Sequence, residues 1–410
     1  MDRRQFLAAS TLSVPLISTP TSLSKPTPVL PGADVLADQR WDRLRGHRVG
    51  VVANPTAVTR DGTHIVDAMV AADMRPTAVF GPEHGFRGTA QAGGSEGDYL
   101  DPRTGIPVYD SYGKTPEQLA GQFAKAGVDL IGFDIADVGA RFYTYIWTLY
   151  YAMHAAALVD AGFLVLDRPN PIGGDASGPV LDPAYASAIG RKPIAQRHGM
   201  TVGELAGLFD GEYLTGDAGK RLRALDVVRV RGWRRDHLHA STGLTWVLPS
   251  PNMPTDTTAL VYPGTGLFEG TVLSEGRGTT RPFEIIGAPG IDWRWVEAVG
   301  AVHGARLREA YFQPTFGKFT GLVCGGVQVH ITDPRRFDAI GTAVAMIVAA
   351  RQVYPEVFAW RADNYIDKLS GSDRLRQMVS AGASAGEVIG AWEPEIAGFR
   401  RLRRPYLLYQ

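Results

Sequence analysis

An open, mostly parallel α/β sheet followed by a smaller α+β domain is the fold this sequence predicts. Three observations predict it. Short β-branched runs alternate with amphipathic helical stretches, each run ends in a polar loop rich in glycine and proline, and past about Pro254 both rhythms lapse. Apolar strands separated by helices of this kind imply parallel βαβ units with both sheet faces covered. The first unit is therefore Rossmann-like.

After a Pro-rich stretch from Lys25 to Pro31, His47 to Ala53 (HRVGVVA) reads as the first strand and Ile65 to Ala72 as a helix. Pro76 to Phe80 is a second strand, Pro116 to Ala126 a helix and Asp129 to Asp134 a third strand. Ile146 to Ala161 is a long helix and Phe163 to Asp167 a fourth strand. Farther on, Val323 to Ile331 reads as a strand, Phe337 to Arg351 as a helix, and Arg374 to Gly390 as a helix broken near Gly382. The expected division is an N-terminal leader and linker over 1–28, a Rossmann-like domain over 29–255 and a smaller α+β domain over 256–410.

The 410 residues are 45% hydrophobic and 20% charged, with 42 basic residues against 42 acidic ones, as in ordinary globular chains with an ample core. This balance and the lack of a Lys/Arg tract argue against nucleic acid as a partner. A single cysteine, Cys324, excludes an intramolecular disulfide and a cysteine-rich zinc site. No stretch reaches the ~20 apolar residues of a spanning helix, so stable membrane insertion is not expected. The opening MDRRQFLAASTLSVPLIS places Arg3-Arg4 before Phe6-Leu7 and a short, mildly apolar run, which resembles a twin-arginine export signal. A periplasmic or extracellular location is the expectation.

The first strand lacks G-x-G-x-x-G, and the chain contains no P-loop, no G-x-S-x-G elbow and no H-E-x-x-H. No cofactor and no metal are expected. What the strands do run into are polar loops: Asn54-Pro-Thr, then GPEHGFRG with Glu83, His84 and Arg87, then DIADVGARFYTY with Asp134, Asp137, Arg141 and Tyr143, then DRPNPIGG with Asn170. In an open α/β sheet, ligands bind outside the carboxyl ends of the strands. Glu83, placed after a buried strand, suits a general acid. Asp134 and Asp137 could supply a second carboxylate or cap a turn. Arg141, Tyr143 and Tyr145 suit sugar recognition, with core packing an equal alternative for Tyr145. His198 precedes a capping box of Thr201 and Glu204. Asn252, like Asn170, stands between prolines that would hold it rigidly, and Glu275-Gly-Arg277 could close the cleft from the far side. Cys324 reads as a packed strand residue.

With these loops laid out, GPEHGFRG, DIADVGARFYTYIWTL, DRPNPIGG, RHGMTVGELA, PSPNMPT and LFEGTVLSEGRGTTRPFE, in that order, resemble the bacterial peptidoglycan exo-β-N-acetylmuramidases of the NamZ type (glycoside hydrolase family 171). The resemblance runs from about residue 45 to the C-terminus. It implies a catalytic domain with an auxiliary C-terminal domain, and release of N-acetylmuramic acid from non-reducing ends of glycan fragments such as the MurNAc-GlcNAc disaccharide. It also implies that the catalytic glutamate is Glu83. Asp134, Asp137 or Glu275, or Tyr143 in their stead, would complete the chemistry. Muramic acid carries a lactyl carboxylate, for which Arg87, Arg141 and Arg277 are the candidate cations. Asn54, His84, Asn170, His198 and Asn252 are the remaining candidate substrate contacts. The competing reading is an exported sugar- or muropeptide-binding protein without turnover.

Overall fold

The computed structural model describes residues 28–410, so the expected export signal lies, but for Pro28, outside the described residues. The strands are β1 (Val49–Ala53), β2 (Ala78–Gly81), β3 (Tyr99–Leu100), β4 (Pro107–Asp110), β5 (Leu130–Asp134), β6 (Gly162–Leu166), β7 (Ser177–Val180), β8 (Ala195–Arg197) and β9 (Leu225–Val228). Seven of them form one sheet in the order β3-β4-β2-β1-β5-β6-β9, parallel throughout except for the β3–β4 edge pair. β7 and β8 form a separate two-stranded ribbon.

Alternation along β1 shows how the sheet is covered. Val49, Val51 and Ala53 face Leu36, Ile65 and Met69 from the Gly32–Asp38 and Ile65–Ala71 helices. Val52 joins Phe80, Phe123 and Phe133 on the opposite face, under the Pro116–Ala126 and Tyr145–Leu158 helices. Because both faces are buried, the strands read as continuous apolar runs. Burying each such phenylalanine stabilises the fold by roughly 1.5–3 kcal/mol.

Beyond the Asp256–Thr265 helix, β10 (Ile285–Ala288), β11 (Ala305–Phe312) and β12 (Cys324–Ile331) form an antiparallel sheet in the order β10-β12-β11. The Ala339–Val353 helix contributes Ala343, Val344 and Ile347 to the same continuous core as Phe133 and Phe163 of the large sheet. The expected break near Gly382 is real: helices Arg374–Ser380 and Ala385–Gly390 flank it, and Gly382 takes a φ of 92°. Among the described residues no helix is long and apolar enough to cross a membrane.

Candidate active site

The chain builds β1, β2 and β4 outward on one side, then crosses back to place β5, β6 and β9 on the other. The switch point therefore lies between the carboxyl ends of β1 and β5, where open α/β sheets bind ligands. Two loops meet there. The Thr56 hydroxyl donates to Asn54 Oδ1 (2.6 Å) and accepts the Ala136 N–H (2.8 Å), locking the post-β1 loop to the post-β5 loop. A narrow pocket of about 70 Å³ opens beside them, lined by Thr56, Arg60, Asp137, Arg168, Trp246 and Pro249 among others.

Glu83 does not line that pocket. It stands next door, past Asn54 and Tyr145, at the end of β2. Its Oε1 accepts the Gly93 N–H (2.9 Å) and its Oε2 the Thr144 hydroxyl (2.8 Å). Among the described residues it has no cationic partner, and Arg87 and Arg141 bond elsewhere. The loop is held from within. His84 adopts a left-handed φ of 68°, with its Nδ1 against the Ala90 carbonyl (3.0 Å). Strained backbone of this kind persists only where the surroundings over-determine it. The Glu96 carboxylate supplies that restraint, accepting the Phe86 N–H, the Thr89 N–H and hydroxyl, and the Tyr99 hydroxyl. Gly85 is required beneath it, because at φ 85° a Cβ would fall 2.1 Å from Glu96 Cδ.

Asp137 is the second oriented carboxylate. Its Oδ2 accepts the Gly139 N–H (2.7 Å) and faces His198 Nε2 (2.9 Å). His198 Nδ1 accepts the Met200 N–H (3.2 Å), so the proton of the neutral ring sits on Nε2 and is donated to Asp137. Asp137 Oδ1 is buried and has no partner among the described residues. The Tyr143 hydroxyl is likewise buried and unpartnered, and both Asp137 and Glu83 act on it: burial first, then nearby phenols and these two carboxylates, hold the phenol well above its ordinary range. Tyr145 donates to the Pro249 carbonyl (2.7 Å), and burial raises its phenol too. The Asn54 amide is close enough to temper that rise, although its Nδ2 makes no hydrogen bond.

A run of aromatic contacts joins this edge to the far wall. Ring centroids are 5.3 Å apart for Tyr143–Tyr145, 5.8 Å for Tyr143–Tyr262 and 4.7 Å for Tyr262–Phe283, and the Arg277 guanidinium lies 5.1 Å over Phe283. There Arg277 pairs with Glu269 (2.9 Å) and Glu275 (3.3 Å), and Lys318 Nζ lies 2.9 Å from Glu275 Oε2 while donating to the carbonyls of Phe268, Thr271 and Leu273. With its three protons on those carbonyls, Lys318 reaches Glu275 Oε2 as a charge and not as a hydrogen-bond donor.

Several candidates fall outside the cleft chemistry. Asp134 is fully buried in a two-pronged pair with Arg168, whose Nη2 lies 2.7 Å from Oδ2. Burial raises its carboxyl and the Arg168 charge opposes the rise. Arg87 is held by Asp67 (2.9 Å) and Asp101 (2.8 Å). Arg141 is wholly buried, donating to the carbonyls of Pro179, Ile194 and Leu369, and burial without a carboxylate partner pushes its guanidinium down to about 9. Neither guanidinium is free for a lactyl group, and Arg277 is shared between two glutamates. Asn170 closes a turn through Ile172 N–H and the Met200 carbonyl. The Asn252 backbone N–H donates to Ser250 Oγ (3.4 Å), and its side chain has no hydrogen-bond partner among the described residues, so it stays a candidate contact.

Sequence reasoning missed Thr144, Glu96 and Arg60. The Arg60 backbone N–H donates to Asp34 (3.0 Å), while its exposed guanidinium lines the switch-point pocket and joins no ion pair among the described residues. Its position two residues past Val58, in the loop after β1, was the available signal. No group of three or more His, Cys, Asp or Glu among the described residues is placed to hold a metal ion.

Comparison with known proteins covers almost the whole chain. Family models described as "Exo-beta-N-acetylmuramidase NamZ, N-terminal" and "C-terminal" match residues 49–257 and 260–409. The "Peptidoglycan beta-N-acetylmuramidase NamZ" of Bacillus subtilis (strain 168) is 45% identical over 395 residues, 94% of this chain and 92% of that protein. Two crystal structures of DUF1343 family proteins from Bacteroides fragilis NCTC 9343 superpose with TM-scores of 0.82 (32% identity, 93% of this chain and 99% of that one) and 0.74 (29% identity, 94% and 99%).

Proposed function

Since this chain belongs to the NamZ exo-β-N-acetylmuramidase family, we propose that it is an exo-acting glycoside hydrolase that releases N-acetylmuramic acid from non-reducing ends of peptidoglycan glycan fragments, a MurNAc-GlcNAc disaccharide being the smallest. One observation carries the assignment of roles: of the carboxylates around the cleft, Glu83 and Asp137 are held by neutral donors and lack a cation, whereas Asp134, Glu269 and Glu275 are ion-paired.

Glu83 gives its proton to the glycosidic oxygen as the bond to C1 of the muramyl ring breaks, so the leaving sugar departs as a neutral alcohol. Water adds to C1 and its proton passes to the Asp137 carboxylate, whose orientation His198 fixes. Tyr143, kept protonated, donates a hydrogen bond and is not the nucleophile, because a phenol held above its ordinary range has no accessible phenolate at neutral pH. The lactyl carboxylate meets Arg60. Export to the cell wall by the Arg3-Arg4 leader accords with such a substrate.

The experiment is hydrolysis of a chromogenic β-N-acetylmuramide, beside the matching β-N-acetylglucosaminide, by the native chain and by Glu83→Gln. We expect turnover of the muramide alone, reduced by about 10²–10⁴-fold in Glu83→Gln. A folded Glu83→Gln protein with native turnover would remove Glu83 from the chemistry. Stoichiometric capture of the muramide without release of chromophore would make the chain a binding protein.

A further inference from the structure

On the side of the molecule where the β7–β8 ribbon meets the C-terminal helices, a cavity of about 530 Å³ is lined by Arg197, Arg335, Arg336, Arg400 and Arg403 together with Trp392. None of these five arginines forms an ion pair among the described residues. Three of them give protons only to backbone carbonyls: Arg197 to Ile172, Arg400 to Ala176 (2.8 Å), and Arg403 Nη1 to His198 and Gly199 (both 2.8 Å). Arg335 and Arg336 stand exposed at the rim. Three donors in this wall are buried and unsatisfied: Arg197 Nε, Arg403 Nε and Trp392 Nε1. Trp392 is 2% exposed and Arg403 is 9% exposed.

A buried donor without an acceptor costs about 1–3 kcal/mol, more when it is charged, and native folds rarely tolerate three in one cavity. Asp175, Asp338 and Glu393 also line the cavity, so three carboxylates stand against five guanidinium groups and positive charge is in excess. Burial lowers Arg197 against the opposing charges of Asp175 and Asp338, and burial together with the neighbouring Arg235 charge lowers Arg403 to about 10. We propose that this cavity is a second binding site, distinct from the cleft, for an oxyanion group, a phosphate or a carboxylate, which accepts from the Arg197, Arg403 and Trp392 N–H groups and is closed over by Arg335 and Arg336. Guanidinium donors suit both groups, because their fork matches paired oxygens. A ligand here ties the β7–β8 ribbon to the C-terminal helices. The inference does not depend on the glycosidase reading.

Isothermal titration of the native chain with inorganic phosphate, with a short peptide bearing a free C-terminal carboxylate, and with its amidated twin tests this and separates the two sources. Phosphate binding alone makes the occupant a phosphate; binding of the free but not the amidated peptide makes it a carboxylate. In either case Arg335→Ala/Arg336→Ala or Arg197→Gln weakens binding by about tenfold or more. The rim pair is exposed, so the double variant keeps its fold, which an unchanged melting temperature verifies. No heat from phosphate or free peptide at about 10 mM, or binding unchanged in both variants, overturns the proposal.

Discussion

On the sheet-edge wall of the cleft, Glu83 and Asp137 are held by N–H groups, a hydroxyl and a neutral imidazole, while on the far wall Glu269 and Glu275 face Arg277 and Lys318. The side-chain types are alike and their surroundings are opposite. On one wall neutral donors orient each carboxylate; on the other, full positive charges tie Glu275 to Arg277 and Lys318 and Glu269 to Arg277, and Lys318 also holds the backbone carbonyls around them. Arginines divide in the same way, with Arg60 at the pocket in no ion pair among the described residues and Arg87, Arg141 and Arg277 committed to protein groups.

The sharpest way to break this contrast is to alter the second oriented carboxylate. Asp137→Asn should lower kcat on the muramide by about 10²–10³-fold with the melting temperature nearly unmoved, and steady-state kinetics beside thermal melts check it. Glu275→Gln should do the reverse. Removing one partner from a buried ion cluster costs about 3–5 kcal/mol, read as a fall in urea midpoint, while kcat stays within about tenfold.

A third prediction concerns His64, which supports the post-β1 loop by donating from Nε2 to the Asn54 carbonyl (3.1 Å). Burial, with the Arg87 charge adding to it, pushes its ring down to about 4. A histidine whose folded value lies below its unfolded value of about 6.5 stabilises the fold fully above pH 6.5, and that contribution is lost as pH falls towards 4. At most it is about 3 kcal/mol. Asp167 works in the opposite direction: burial pushes it up to about 7, so its contribution is present at low pH and lost as pH rises from about 4 to 7. The two slopes offset each other in the native chain, so the measurement is the difference in urea stability between native protein and His64→Gln, which should shrink from pH 7 to pH 4.5. A constant difference would show that His64 keeps one protonation state. The smallest effect expected is for Arg60→Ala: KM for the muramide should rise by about tenfold while kcat holds, and the glucosaminide should stay uncleaved.

Much of the scaffold was legible because it depends on local patterns. The Pro116–Ala126 helix, bounded by Thr115 and Gly127, and the Thr201–Glu204 capping box are written in adjacent residues. β4 and β11 were not found: Pro107–Asp110 is short and half-buried, and Ala305–Phe312 is an outer strand of its small sheet with Arg306, Arg308 and Tyr311 exposed, so neither shows an apolar run. Loop positions at the strand ends were readable, but pairings were not. Arg87 looked available because Asp67 and Asp101 stand 20 and 14 positions away, and Asp137 meets His198 across 61. Whether a guanidinium waits for substrate or has already found its own aspartate is a property of the fold and leaves no mark in spacing.

Arg141 carries one more consequence. Its side chain, rooted beside the large sheet, gives protons to Pro179 and Ile194 in the β7–β8 region and to Leu369 from the C-terminal part, while a single apolar core runs from Phe133 to Ile347. The border that sequence composition draws near residue 255 is thus crossed by a buried guanidinium and by one apolar core. Cutting there takes from Arg141 one of its three carbonyl acceptors and leaves the Leu369 carbonyl without its donor. The two parts are expected to melt in one transition, and any lineage that exchanged one for another would have had to carry this rivet across intact.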